Sequence, residues 1–163
     1  MRNQKTSKFI YFIILVFLSG SIFAQNIAME KMEQLDFLVG EWVGTSKVYE
    51  NGIVIKEGAA YEKISYDLGK RILVIELNTE FLQLRTIVNY SEKDEKYYYH
   101  RFSKDGSAIY PAEFKDGKLV VWKDDKTRFY FGRTAEGDFQ EYGERLINGR
   151  WTKYFEDTFK NTQ

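Results

Sequence analysis

The chain has 163 residues, 24 Lys and Arg against 24 Asp and Glu, one His, one Pro and no Cys. Without Cys there are no disulfides, no thiol catalysis, no thiolate metal site and no anchor through a lipidated cysteine. The charge is balanced, and slightly acidic once a basic N-terminal segment is set aside, which excludes nucleic acid as the main partner because phosphate binding needs a concentrated positive field.

Arg2, Lys5 and Lys8 precede an apolar run from Phe9 to Leu18, and Ser19-Gly20-Ser21 leads to Ile22-Phe23-Ala24-Gln25. A charged flank, a short apolar core and a small residue at the cut site make this a secretory signal, cleaved after Ala24. The apolar run is too short for a bilayer, which needs roughly 20 residues, so no stable membrane insertion is expected after cleavage. The remaining 139 residues carry 21 basic against 24 acidic side chains and are expected to form one domain, 25–163. The form of the signal looks bacterial, with the product in the periplasm or the medium.

Residues 25–38 read as a lead-in with one short helix: Met32, Leu35, Phe37 and Leu38 can share an apolar face, and Gly40 is placed to end it. Turn signals then recur at close spacing. Strands are expected at 41–50 and 53–66, joined by Asn51-Gly52, then at 71–78, 81–90, 96–102, 107–114, 118–123, 127–132, 138–147 and 150–158, the last pair joined by Asn148-Gly149. Ten strands in consecutive hairpins form an antiparallel meander. Twist and two bare edges favour its closure into an all-β, up-and-down barrel, wide enough for an internal cavity. The 23 aromatic residues beyond the signal suit such strands, and they could also fill the interior.

The opening Leu35-Asp36-Phe37-Leu38-Val39-Gly40-Glu41-Trp42-Val43-Gly44, the hairpins Asp105-Gly106 and Asp116-Gly117, and Arg150 beside Trp151 on the last strand resemble the calycin superfamily, the lipocalins and fatty-acid-binding proteins. More closely, the chain is similar to small secreted bacterial lipocalin-like proteins of unknown function. The resemblance spans residues 25–163, but its specificity lies in the first ten residues or so. It implies that Trp42 closes one end of the barrel, with a basic residue of the last strand, Arg150 or Lys153, over the indole as a cation–π cover.

Fatty-acid-binding proteins hold an acid headgroup through inward Arg and Tyr residues, a pairing that suits a carboxylate. Strand-borne Arg85, Arg101, Arg128 and Arg145 have Tyr99, Tyr130, Tyr142 and Tyr154 nearby; by that resemblance Arg85, Tyr99, Arg128, Tyr130 and Arg145 are candidate ligand-binding residues, with Arg128 and Arg145 preferred because aromatics flank them. Arg128-Phe129-Tyr130 carries the Arg-x-Tyr spacing on the eighth strand, whereas the final strand, Arg150-Trp151-Thr152-Lys153-Tyr154, does not. Counting through the hairpins without a bulge aligns Trp42 with Tyr61 and Tyr61 with Glu76, so Tyr61 and Glu76 join the set if Trp42 points inward.

His100, the only histidine, is a candidate axial haem ligand by similarity to nitrobindin-type barrels; otherwise no cofactor or metal site is expected. No serine stands in a nucleophile elbow, His100 lacks visible triad partners, and no phosphate loop joins a strand to a helix, so the reading leans away from an enzyme. The expectation is an exported barrel that binds a small hydrophobic or amphipathic molecule. The alternatives are a haem barrel using His100 and a filled barrel with a structural or interaction role.

Overall fold

Hairpin chemistry and alternation lay out the barrel. Asn51 and Asn148, each at φ 51° and each followed by Gly, take the left-handed conformations of tight two-residue turns. In the computed structural model, which describes residues 27–162, a short helix α1 (27–33) and a 3-10 turn (Asp36–Leu38) lead into ten antiparallel strands. These are β1 (Gly40–Glu50), β2 (Ile53–Asp67), β3 (Ile72–Thr79), β4 (Gln83–Ser91), β5 (Lys96–Ser103), β6 (Gly106–Lys115), β7 (Lys118–Asp124), β8 (Thr127–Arg133), β9 (Phe139–Ile147) and β10 (Arg150–Asn161). Each strand pairs with its sequence neighbours, and β10 pairs with β1 to close the barrel. The expected signal, 1–24, lies outside the described residues. Among the described residues no helix is long and apolar enough to cross a membrane.

Two boundaries differ from expectation by more than one residue, for local reasons. The Thr79 hydroxyl accepts the amides of Phe81 (3.1 Å) and Leu82 (2.9 Å), holding these residues in the turn, so β4 begins at Gln83. Strand β10 runs three residues further than expected because closure needs them: Asn161 pairs with Trp42 and Phe159 with Gly44. The seam also explains the second glycine of Gly-x-Trp-x-Gly. A β-carbon on Gly44 would lie 1.9 Å from the Thr158 carbonyl oxygen, so only glycine lets the two backbones approach.

One end of the barrel is plugged. Met32, Leu35, Leu38, Trp42, Phe139 and Phe159 are fully buried there, and the Phe139 ring stacks on Phe159 and tilts against Trp42, both at 5.4 Å. The Trp42 indole donates to the Leu38 carbonyl (2.9 Å). Carbonyls at the C-terminal end of α1 have no partners within the helix. Here the Tyr66 hydroxyl donates to Met32 (2.6 Å) and that of Tyr97 to Lys31 (2.5 Å), fastening the helix over the floor. The cation over Trp42 is not the expected Arg150 or Lys153. Arg133, from the end of β8, lies 4.6 Å from the indole centroid and donates to the carbonyls of Phe37 (2.8 Å) and Gly137 (2.6 Å). Arg150 opens β10 in the hairpin at the opposite end, and Lys153 points outward to Glu156 (2.7 Å).

Register decides which residues see the interior. Near its hairpin β1 pairs with β2 as Glu50↔Ile53 and Tyr49↔Val54, but beyond it as Val48↔Lys56, so Ile55 is an extra residue. The shift places Trp42 opposite Glu62, and Glu62 opposite Leu77. The expected Trp42–Tyr61–Glu76 alignment is therefore corrected, since a one-residue slip exchanges the two faces of a strand.

Candidate ligand-binding site

Between the Trp42 floor and the far hairpins lies a cavity of about 440 Å³, within the roughly 300–1,000 Å³ of small-molecule sites. Its walls are aromatic. Tyr99 of β5 lies 5.6 Å from Phe131 and 6.5 Å from Phe129, both of β8, and Tyr110 of β6 lies 6.5 Å from Tyr99. Tyr154 and Phe155 both line the cavity although they are adjacent in sequence. The β9–β10 register slips between Lys153 and Phe155, leaving Tyr154 as the extra residue. Gly143 on β9 gives them room: a β-carbon there would lie 2.2 Å from the Phe155 ring and 2.7 Å from that of Tyr154.

Two sets of ionisable groups lie at or beside this interior, at different depths. Arg101, Lys123 and Arg145 line its hairpin end, near the last residues of β5, β7 and β9. Among the described residues none of the three forms an ion pair. Arg101 donates only a long bond to the Ser103 hydroxyl (3.3 Å), and Arg145 lies 4.1 Å over the Tyr154 ring. Burial pushes the Tyr154 hydroxyl up to about 12, so it stays protonated and able to donate.

Closer to the floor are three carboxyls, Glu62 of β2, Glu141 of β9 and Asp157 of β10, all buried. Glu141 and Asp157 are opposite each other across the β9–β10 ladder and hydrogen-bond side chain to side chain, while Ser46 of β1 contacts Asp157. Both oxygens of Glu62 and one of Asp157 have no hydrogen-bond partner. Burial, then the repulsion of neighbouring acids, raises Glu62 and Glu141 well above the ordinary carboxylate range; Asp157 is also raised, by burial first. Among the described residues no group of His, Asp and Glu has the arrangement of a metal site.

The sequence-predicted residues divide between the two faces. Tyr99 and Arg145 line the cavity. Tyr61 is 37% exposed on the outer face, and Glu76 pairs outside with Arg85 (2.6 Å). Arg128 is also outside: it pairs with Glu144 (2.8 Å) and lies 3.9 Å over the Trp151 ring, while Tyr130 stacks on Tyr142 at 4.8 Å. His100 alternates with inward Tyr99 and Arg101 and contacts Asn89 on the outer face (2.8 Å), so its imidazole does not reach the cavity.

Sequence reasoning missed Lys123, Glu62, Glu141 and Asp157 as site residues and did not favour Arg101. A signal for the acids was present: Phe139-x-Glu141-x-Gly143 and Phe155-x-Asp157-x-Phe159 place each acid between apolar or small residues on one face. At period two, that pattern marks an interior acid.

No protein-family model matches the chain, and no curated protein matches it in sequence. Its shape does match solved structures. One is zebrafish ileal bile acid-binding protein complexed with cholic acid, 10% identical, with a TM-score of 0.53 over 77% of this chain and 99% of that one. At this identity the likeness is one of fold: a ten-stranded, antiparallel up-and-down barrel with a short N-terminal helix.

Proposed function

We propose that this protein is an exported carrier of a small amphipathic molecule that bears an anionic group. The carrying observation is the set of three cavity cations, Arg101, Lys123 and Arg145, without ion-pair partners, at the end of an aromatic-walled space. Burial of the ligand's apolar part against Tyr99, Phe129, Phe131 and Phe155 supplies the driving force. The guanidinium groups fix the anion through charge-assisted hydrogen bonds. The zebrafish barrel of the same fold, complexed with cholic acid, supports this reading, and the cavity favours a container over a filled barrel. The N-terminal segment supports export, and the opening motif supports kinship with small secreted bacterial lipocalin-like proteins.

The test is fluorescence titration with dansyl-labelled undecanoic acid and its alcohol analogue. The acid should bind more tightly, and the double variant Arg101→Ala/Arg145→Ala should weaken it by about tenfold or more while leaving the alcohol unchanged. Binding of neither probe would refute the carrier, and equal loss of both would refute the anion's role. Detection of residues 1–24 on the mature exported protein would refute signal cleavage.

A further inference from the structure

Three acids inside a barrel, with no cation among them, need a physical account. Glu62 is fully buried and neither of its oxygens has a partner; Asp157 Oδ1 is also buried and unpartnered. Unpaired buried polar groups cost free energy and buried like charges more, so such a cluster persists where a partner from outside completes it. The groups converge. Glu62 acts on Asp157 and on Tyr99, Thr86 contacts Tyr99, and Ser46 and Glu141 both contact Asp157. Glu141, Asp157, Ser46 and Tyr99 line the cavity; Glu62 does not line it, but is fully buried within electrostatic reach of Asp157.

We propose that this cluster is a second polar subsite, which receives an ammonium group at the inner end of the ligand. The ligand class is then an amphipath with an amine at one end and an anion at the other. An ammonium offers three donors and a positive charge to acceptor oxygens that have neither. A hydroxyl would satisfy one acceptor and no charge, and the spacing of the acids does not make a metal site. The far end is placed to match: Arg145 lies four residues beyond Glu141 on the same inward face of β9, roughly 13 Å at 3.2–3.4 Å per residue. Before binding, burial keeps the acids protonated, and the arriving cation favours their ionisation. The titratable groups facing the cluster are Tyr99 of β5 and, beside Asp157 on the outer face of β10, Glu156. Arg101 and Arg145 make no ion pair with it.

The inference rests on the carrier reading, and one calorimetric experiment on the mature protein separates the two. Straight-chain carboxylic acids of eight to sixteen carbons are compared with their ω-hydroxy and ω-amino derivatives. At the best-fitting length the amino acid should bind about tenfold or more tighter than the hydroxy acid, with proton release seen as an observed heat that varies with the buffer's ionisation heat. Glu141→Gln and, as an independent variant, Asp157→Asn should each bring the ratio of amino-acid to hydroxy-acid affinity close to one, a ratio taken within each variant so that any change common to the whole series cancels. Unsubstituted acids that bind while no amino derivative gains would overturn the ammonium subsite and leave the carrier standing. A gain that survives in both folded variants would also overturn it. Binding by no member of any series overturns both readings.

Discussion

Gly143 and Phe155 face each other across the β9–β10 ladder with no space for a methyl group between them: a β-carbon on Gly143 would come within 2.2 Å of the Phe155 ring. The slip in β10 that turns both Tyr154 and Phe155 inward therefore depends on the missing side chain in β9. Two rings are gained for the cavity wall at the expense of one β-carbon.

Gly143→Ala should accordingly act on binding as well as on folding. The Phe155 ring has open cavity beside it and would turn into that space. The expected cost is about 1–3 kcal/mol of stability, as for an overpacked core, with a fall in probe affinity of about tenfold or more. Adding Phe155→Ala to Gly143→Ala should restore part of the stability, since the double change removes the closest clash and leaves only that with the Tyr154 ring. Unchanged binding in Gly143→Ala, read by titration of the dansyl acid, would mean the ring does not border the ligand.

The floor should behave differently. Arg133 covers Trp42 and ties β8 to the carbonyls of Phe37 and Gly137. Arg133→Ala should lower stability by about 1–2 kcal/mol, combining an exposed cation–π contact with charged hydrogen bonds, while leaving ligand affinity intact. Arg150→Ala should change neither quantity measurably, because Arg150 is exposed in a hairpin at the other end. Thermal melts of the two variants, set beside titrations, separate the assignments. Greater loss in Arg150→Ala would return the cover to β10.

The architecture was legible because local chemistry specified it. Asn51-Gly52 and Asn148-Gly149 bounded strands, alternation repeated between them, and a ten-strand meander has few other ways to hide its edges. Facing was less legible, because it depends on parity. One extra residue, Ile55, moved Glu62 into the interior and left Tyr61 and Glu76 outside, and no local signal in Ile53-Val54-Ile55-Lys56 announces it. The Trp42 cover was misassigned for a related reason. The resemblance supplied a basic residue from the last strand, whereas the space above the indole is reached from the end of β8. Arg128 and Tyr130 have aromatic neighbours, as an interior pair would, but these neighbours form an outer layer.

That outer layer gives a discriminating prediction. Arg128 lies against the edge-to-face pair of Trp122 and Trp151, with centroid distances of 5.6 and 3.9 Å, and pairs with half-buried Glu144. Arg128→Ala should destabilise by about 1–3 kcal/mol, through lost stacking and a lost partly desolvated ion pair, with no effect on the affinity of either dansyl probe. Arg128→Lys should recover only part of the stability, since an ammonium cannot stack as a planar guanidinium does. A selective loss of the acid probe in Arg128→Ala would contradict its outward placement.

The buried acids set the pH dependence of the unliganded protein. Glu62 and Glu141 are raised well above their ordinary range in the folded state, chiefly by burial, with Asp157 raised as well. The native chain then holds protons that the unfolded chain releases. By linkage, their contribution is fully present below the unfolded value of about 4 and is lost as pH climbs through the raised values. The melting temperature of the unliganded protein should therefore fall by several degrees between about pH 5 and about pH 8, at roughly 4 °C for each kcal/mol. Glu62→Gln, which keeps the shape and removes the ionisation, should flatten that slope and melt higher than the parent at the alkaline end. A ligand carrying an ammonium should oppose the same slope, because it stabilises the ionised acids. A parent protein that melts higher at pH 8 than at pH 5, or a Glu62→Gln variant with the parent's full slope, would show that these carboxyls are ionised and compensated in the empty barrel.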